Sequence, residues 1–235
     1  MYHKHFNSLV STQIYLKDNL EELRSSDPDV LISCSEQTNG IGRQGNKWET
    51  YPNSLAMSFT LKPNPVVTLS PIEIGIMSIK FIHKQFDKNL FLKWPNDILT
   101  REGRKCGGII CQYIDNETII AGLGINLGKI ENSARSDFRH GLGSVNPALE
   151  FTNIDQELIS SELYTYFLSQ RISQVSELQE LFIKHCIHIN KKVSINDDQQ
   201  EQVGIFKEIG KSGEAIIEID SNLVVFFAGS LTILN

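Results

Sequence analysis

Residues 36–50 read EQTNGIGRQGNKWET, and the fold assignment turns on them. Gly40, Gly42 and Gly45 spell G-x-G-x-x-G. That turn cradles a dinucleotide when a strand precedes it, a helix starts on it and an acidic residue follows about 20 positions later. The strand is available in DVLISC (29–34). The helix is not. The chain continues NKWETYPNSLAMSFTL (46–61), a proline turn and then Leu55, Met57, Phe59 and Leu61 alternating with small or polar neighbours, which is strand periodicity. A doubly wound dinucleotide fold is therefore excluded. The glycines keep a use, because they let backbone N–H groups approach an anion, and Arg43 adds a positive charge to the same loop. A flexible hairpin with a solvated arginine competes with that reading for this segment alone.

On either side the pattern is mixed. STQIYLKDNLEELRSS (11–26) opens on a capping-type Ser/Thr pair, and Ile14, Leu16, Leu20 and Leu23 give it a partly helical stripe. SPIEIGIMSIKFIHKQF (70–86) places Pro71 at a helix start and Ile72, Ile76, Ile79 and Phe86 at helical spacing. LFLKWPN (90–96), CGGIICQYI (106–114) and TIIAGLGINL (118–127) read as strands. Residues 129–150 read as a long polar loop, a length usually tied to function or motion. Helices are expected over 155–172 and 175–187. From KKVSI (191–195) the texture changes to short strands, EQVGIFKEI (201–209), GEAIIEI (213–219) and NLVVFFAGSLTIL (222–234), separated by Asp, Ser and Gly turns. The expectation is an α+β fold, a helix-and-sheet domain over 1–187 and a small all-β module over 188–235.

Composition narrows the function. The 235 residues suffice for one substantial core or for a larger and a smaller domain. A net charge of −6 gives no electrostatic case for nucleic acid. Cys34, Cys106, Cys111 and Cys186 form no C-x-x-C pair and no zinc spacing, so free thiols in a reducing compartment are expected. The six histidines show no catalytic or metal spacing. No apolar run reaches the roughly 20 residues that would span a membrane, and MYHKHFNSLV lacks the layout of a secretory signal. The chain reads as cytoplasmic.

Three further segments carry possible chemistry. Lys93, Trp94, Pro95, Asn96 and Asp97 follow an apolar strand, where a type I turn is the plain alternative. Lys105 precedes Gly107 and Gly108 and would otherwise be an ordinary turn lysine. Asn126 ends a buried strand, as a turn asparagine after a bulge would. Taken together and in order, NGIGRQGNKW, KWPND, RKCGGII and GLGIN resemble the signatures of the bacterial biotin protein ligases, within the wider biotin/lipoate ligase superfamily. The resemblance runs over almost the whole chain.

That resemblance implies a catalytic domain built as a mixed sheet with helices on one side, followed by a small SH3-like C-terminal barrel. It implies ATP-dependent conversion of biotin to biotinyl-AMP, then transfer to a lysine of a biotin carboxyl carrier protein, with ATP and biotin as substrates and Mg²⁺ as cofactor. Ser11, Thr12 and Gln13 would bind the ureido ring, and Gln37 would lie beside the ligand. Gly40, Ile41, Gly42 and Arg43 would close over biotin and the adenylate, with Gly108 in the biotin site. Trp48 would stack on adenine, against a plain core role. Lys93, Asn96, Asp97 and Asn126 match positions near the nucleotide, with Asp97 also near the metal and a candidate for orienting or deprotonating the acceptor lysine. Lys105 would reach both the biotin carboxylate and the phosphate. Many members carry arginine where this chain has Ile41 and Asn46, which removes charge-assisted bonds of about 1.5–3 kcal/mol each from a phosphate-facing loop.

Two alternatives remain: a lipoate or octanoate ligase on the same scaffold, and a non-catalytic biotin- or adenylate-binding module. Repression through an N-terminal DNA-binding domain is not expected, because the Ser-Thr pair stands at 11 and 12 and the charge is acidic. A homodimer through paired sheet edges is compatible with the sequence but not compelled by it.

Overall fold

The computed structural model describes residues 1–130, 141–149, 155–197 and 200–234. The strands are β1 (Tyr2–Leu9), β2 (Val30–Gln37), β3 (Gly40–Ile41), β4 (Lys47–Trp48), β5 (Ser54–Leu61), β6 (Phe91–Lys93), β7 (Asp97–Leu99), β8 (Lys105–Asp115) and β9 (Thr118–Asn126). Five more follow: β10 (Lys192–Asn196), β11 (Glu201–Ile209), β12 (Ala215–Ile219), β13 (Asn222–Phe226) and β14 (Ser230–Ile233). The α-helices are α1 (Thr12–Asp18), α2 (Leu20–Ser26), α3 (Ser70–Phe86), α4 (Gln156–Ser169) and α5 (Val175–His185). None of the described helices is long and apolar enough to cross a membrane.

Seven strands form one mixed sheet in the order β1-β2-β5-β9-β8-β7-β6. β1 runs parallel to β2, and the other pairs are antiparallel. The two central strands explain what the sheet is for. Leu55, Met57, Phe59 and Leu61 of β5, with Ile119, Ala121, Leu123 and Ile125 of β9, point into the main apolar cluster. The alternate residues, Ala56 and Ser58 opposite Gly124 and Gly122, are small and face the other way. Every residue of β5 and β9 is nonetheless buried, because both faces are covered.

The apolar face is covered by α3 and α4. Phe59 packs against Tyr164 and Phe167 of α4 with ring centroids 5.2 and 5.1 Å apart. Each fully buried Leu, Ile or Phe there contributes about 1.5–3 kcal/mol. Pro71 stands in the first turn of α3, and Asp87 ends the helix in the left-handed region at φ 51°. Asp155 caps α4, its carboxylate accepting from Leu158 N at 2.9 Å. Glu73 of α3, fully buried, accepts from Arg171 Nε at 2.7 Å and from Ile172 N at 2.9 Å, which fixes the exit of α4.

The principal helices thus lie on one side, as the resemblance implied, while the short pair α1 and α2 covers part of the small-residue face. Leu16, Leu20 and Leu23 pack there on Val30, Ile32 and Ile120. The single helix suggested by the 11–26 stripe is two, because Asn19 leaves helical geometry at φ −111° and ψ 12° and its side chain donates to Tyr15 O at 2.8 Å. The capping expectation also fails in detail: Ser11 occupies the cap position, but its side chain makes no capping bond.

The C-terminal strands form an antiparallel sheet in the order β13-β12-β11-β10-β14. The expected strand over 222–234 is two, parted at Gly229, where a Cβ would fall 2.7 Å from Asn196 O. Val193, Phe206, Ile217 and Leu231 of this sheet belong to the same apolar cluster as Leu92, Trp94 and Phe182.

Candidate active site

On the small-residue face, beyond α1, lies a cleft of about 490 Å³. Its floor is glycine. Gly108 of β8 pairs with Gly124 of β9, and the indole of Trp48 lies on that pair. A Cβ on Gly124 would fall 2.3 Å from the ring, and one on Gly108 3.5 Å from it. Side chains two apart on one strand face are spaced about 6.6 Å. Along β9 the cleft therefore reads in steps. Gln13 stands over Gly122, where a Cβ would meet its Oε1 at 2.7 Å; Trp48 lies over Gly124; Asn126 closes the row.

The inner end is polar and partly unpaired. Thr12 N and Oγ1 donate to Gln37 Oε1 at 2.9 and 3.2 Å, and the Thr12 hydroxyl meets Ser58 Oγ at 2.8 Å. Gln13 Nε2 donates to Ile120 O at 3.2 Å, which orients the amide and leaves Oε1 aimed away. Ser11 Oγ, Gln13 Oε1 and Trp48 Nε1 are buried without a partner among the described residues. An unmet buried polar atom costs about 1–3 kcal/mol, so three on one cleft wall mark a place where a ligand supplies the missing bonds.

The outer end is cationic. The glycine loop is a hairpin of β3 and β4, with Gly40 opposite Trp48 and Ile41 opposite Lys47. Gly40 tolerates no side chain, since a Cβ would fall 2.5 Å from Trp48 O, and Gly45 turns the tip at φ 76°. From that tip Arg43 Nη1 donates to Asn96 Oδ1 at 2.9 Å, and Asn96 Nδ2 donates to Ile109 O at 2.6 Å. The next residue, Asp97, takes Lys93 Nζ at 2.7 Å on one oxygen and Lys105 Nζ at 2.6 Å on the other. Burial pushes the Asp97 carboxyl up, but the two ammonium groups outweigh it and hold it below the usual carboxylate range. Three cations thus gather on two consecutive residues, with a single carboxylate between two of them.

The expected residues therefore converge: Ser11, Thr12, Gln13, Gln37, Ile41, Gly42, Arg43, Trp48, Lys93, Asn96, Asp97, Lys105, Gly108 and Asn126 line one cleft. Gly40 stands just behind it as the hairpin's close-approach residue. Asn126 accepts from Ser54 Oγ at 2.8 Å and donates to Gly143 O at 3.2 Å, which holds it at the rim of the cleft. The Trp48 ring rests on the β8–β9 floor. Of the 129–150 loop, 131–140 and 150 lie outside the described residues. Its 141–145 stretch runs beside the site, with Gly143 N donating to Lys105 O at 2.8 Å and Val145 N to Asn126 O at 2.8 Å.

Asp97 does not fit a magnesium ligand in this arrangement. Both its oxygens are engaged by ammonium groups, which a dication beside it would repel.

Sequence reasoning missed Ser58, Gly122 and Gly124, although the small-residue alternation in β5 and β9 could have found them. It also missed Ser230 and Leu231 of the C-terminal sheet, which reach the cleft with no local signal.

Comparison with known proteins bears on the fold and the family. The model of the biotin/lipoate A/B protein ligase family matches residues 6–128. The bifunctional ligase/repressor BirA of Escherichia coli is 25% identical over 245 residues, covering 95% of this chain and 71% of that protein. Among solved structures, biotin protein ligase from Aquifex aeolicus in complex with biotin and ATP superposes with a TM-score of 0.73 at 18% identity, over 99% of this chain and 98% of that one. Biotin acetyl coenzyme A carboxylase synthetase from Helicobacter pylori gives 0.67 at 19% identity, over 95% and 99%.

Proposed function

The chain belongs to the biotin/lipoate A/B protein ligase family, and from that premise we propose that it activates biotin with ATP and transfers it to a lysine of a biotin carboxyl carrier protein. The observation that carries biotin over lipoate is the unpaired inner wall. Gln13 Oε1 only accepts, so its ligand must bring an N–H; Trp48 Nε1 only donates, so its ligand must bring an acceptor. A cyclic urea with a carboxylate tail offers N–H groups and a carbonyl acceptor at the ring and oxygen acceptors at the tail. A dithiolane ring offers no N–H.

The chemistry follows from the charge layout. A carboxylate oxygen attacks the α-phosphorus of ATP, the bond to pyrophosphate breaks, and a mixed anhydride with AMP forms. Bringing two anions together is the obstacle. Arg43, Lys93 and Lys105 offset the repulsion and stabilise charge developing at phosphorus. In the second step a lysine amine attacks the acyl carbon, AMP departs and one proton is lost. Asp97, with its depressed pKa, is a weak base and a good anchor, so we assign it to orienting Lys93 and Lys105 rather than to proton abstraction. Magnesium enters with ATP as counter-ion of the phosphates, not held by Asp97. The hairpin of Gly40, Gly42 and Gly45 closes over the adenylate and excludes water.

The same reading places the protein in the cytoplasm, in keeping with four free thiols, and divides the chain into a catalytic part, 1–187, and an SH3-like part, 188–235. Biotin-dependent exchange of pyrophosphate into ATP tests the function. Exchange with biotin and not lipoate is expected. Exchange with lipoate alone would transfer the protein to the other branch of the family, and tight biotin binding without turnover would make it a binding module.

A further inference from the structure

The turn that carries Asn96 and Asp97 stands on the least supported part of the large sheet. β6 and β7 are three residues each, they lie at the sheet's margin, and the β7–β8 register slips between Ile98 and Leu99. So short a ladder cannot by itself hold a turn to the roughly 0.5 Å that a binding constellation requires.

The C-terminal part of the chain supplies the missing support. Trp94, in the middle of the turn, points away from Lys93, Asn96 and Asp97 and is 1% exposed. Its Nε1 donates to Gly213 O at 2.8 Å, across 119 residues of sequence. Gly213 belongs to a tight β11–β12 turn, closed by Gly210 N to Glu214 O at 2.8 Å. That turn is itself pinned to the start of α3 by Thr68 Oγ1 donating to Ser212 O at 2.6 Å. A second clamp lies one residue before Lys93, where Ile187 N donates to Leu92 O at 3.0 Å. A buried indole N–H must be matched, so the Gly213 carbonyl sets the height of Trp94 and with it the height of its neighbours.

We propose that Trp94 is a positioning residue: through its bond to the Gly213 carbonyl, the C-terminal sheet fixes the Lys93–Asp97 turn, and so the Arg43–Asn96 contact that meets the nucleotide. This rests on the ligase reading for the identity of the nucleotide but not for the coupling itself. Trp94 never touches the ligand. Its effect reaches the cleft only through Asn96 and Asp97.

The test is Trp94→Phe, which keeps the ring and removes the N–H, measured by calorimetry with biotin and with α,β-methylene-ATP, and by pyrophosphate exchange. The expected result is at least a tenfold loss of affinity for the ATP analogue with biotin affinity within twofold of the parent. In an Asn96→Ala background the further loss should shrink, because one of the two routes into the cleft is already cut. Gly213→Ala, which puts a Cβ 3.0 Å from Leu69 at φ 80°, should reproduce the pattern while sparing the tryptophan. It decides the matter if Trp94→Phe does not fold. Equal loss for both ligands, losses that multiply with Asn96→Ala, or unchanged nucleotide affinity in Gly213→Ala would each overturn the proposal. Parent protein that binds both ligands but performs no exchange would refute the ligase reading and leave the coupling standing.

Discussion

Asp97→Asn separates the two things that the carboxylate does. In the folded protein it is the shared anion for Lys93 and Lys105, at 2.7 and 2.6 Å. Deleting one member of a buried ionic cluster costs about 3–5 kcal/mol when the rest is sealed from water. Here the lysine side chains are 17% and 24% exposed, and solvent screening brings the expected loss below that range, to about 2–3 kcal/mol. Two ammonium groups without their counter-ion also raise the positive potential of the cleft. The ATP analogue should therefore bind several-fold more tightly to the variant. Pyrophosphate exchange should nevertheless fall at least tenfold, because Lys105 is no longer held in place. Urea unfolding with and without nucleotide measures the first effect, and exchange kinetics the second. The pH dependence follows from the depressed carboxyl, whose contribution is complete above its ordinary value of 3.8 and is lost as pH falls toward the folded value. The stability gap between parent and variant should be flat from pH 8 to 5 and close below about pH 4. A loss under about 1 kcal/mol together with weaker nucleotide binding would refute the idea that Asp97 serves to gather the lysines.

Three other outcomes are expected. Ser11→Ala removes a buried hydroxyl that has no partner among the described residues, so urea stability should hold or rise slightly while calorimetric biotin affinity falls about tenfold, or ~1.4 kcal/mol; a matching loss of stability would speak against a ligand-directed hydroxyl. Gly124→Ala drives a methyl into the Trp48 ring, which should cost about 1–3 kcal/mol of stability and at least tenfold in biotin affinity, and unimpaired affinity would show that the ring position is irrelevant. His188, fully buried between Phe182 and Phe206, has its pKa pushed down by burial to about 3, so its folded form stays neutral while the unfolded chain takes up a proton below about 6.5. Stability should accordingly drop by about 1.4 kcal/mol per pH unit between pH 6 and 4, and His188→Leu should flatten that slope.

Much of this was legible in the sequence because it is local. The alternation in β5, the helical spacing in α3 and the failure of a helix to follow Gly45 needed no long-range information, and four short signatures in order identified the family resemblance. What escaped depends on contacts between distant residues. Tyr2–Leu9 gives no strong alternation, and it becomes a strand because β2 offers it a parallel edge, pairing His5 with Ser33. Ser11 looks like a helix cap, and only the packing of α1 on β5 shows that its hydroxyl is left for something else. Asp97 reads as a base or a metal ligand until Lys93 and Lys105 are both seen on it. The part played by Ser230 and Leu231 depends on how the second sheet docks, which no window of residues around them encodes.

That docking has a consequence for how the molecule comes apart. Because Trp94 and Leu92 share one apolar mass with Val193, Phe206 and Ile217, neither sheet can be stripped away without opening the interior of the other. Scanning calorimetry should record a single endotherm with matching calorimetric and van't Hoff enthalpies, and a fragment ending near residue 187 should be recovered as an aggregate rather than as a smaller enzyme.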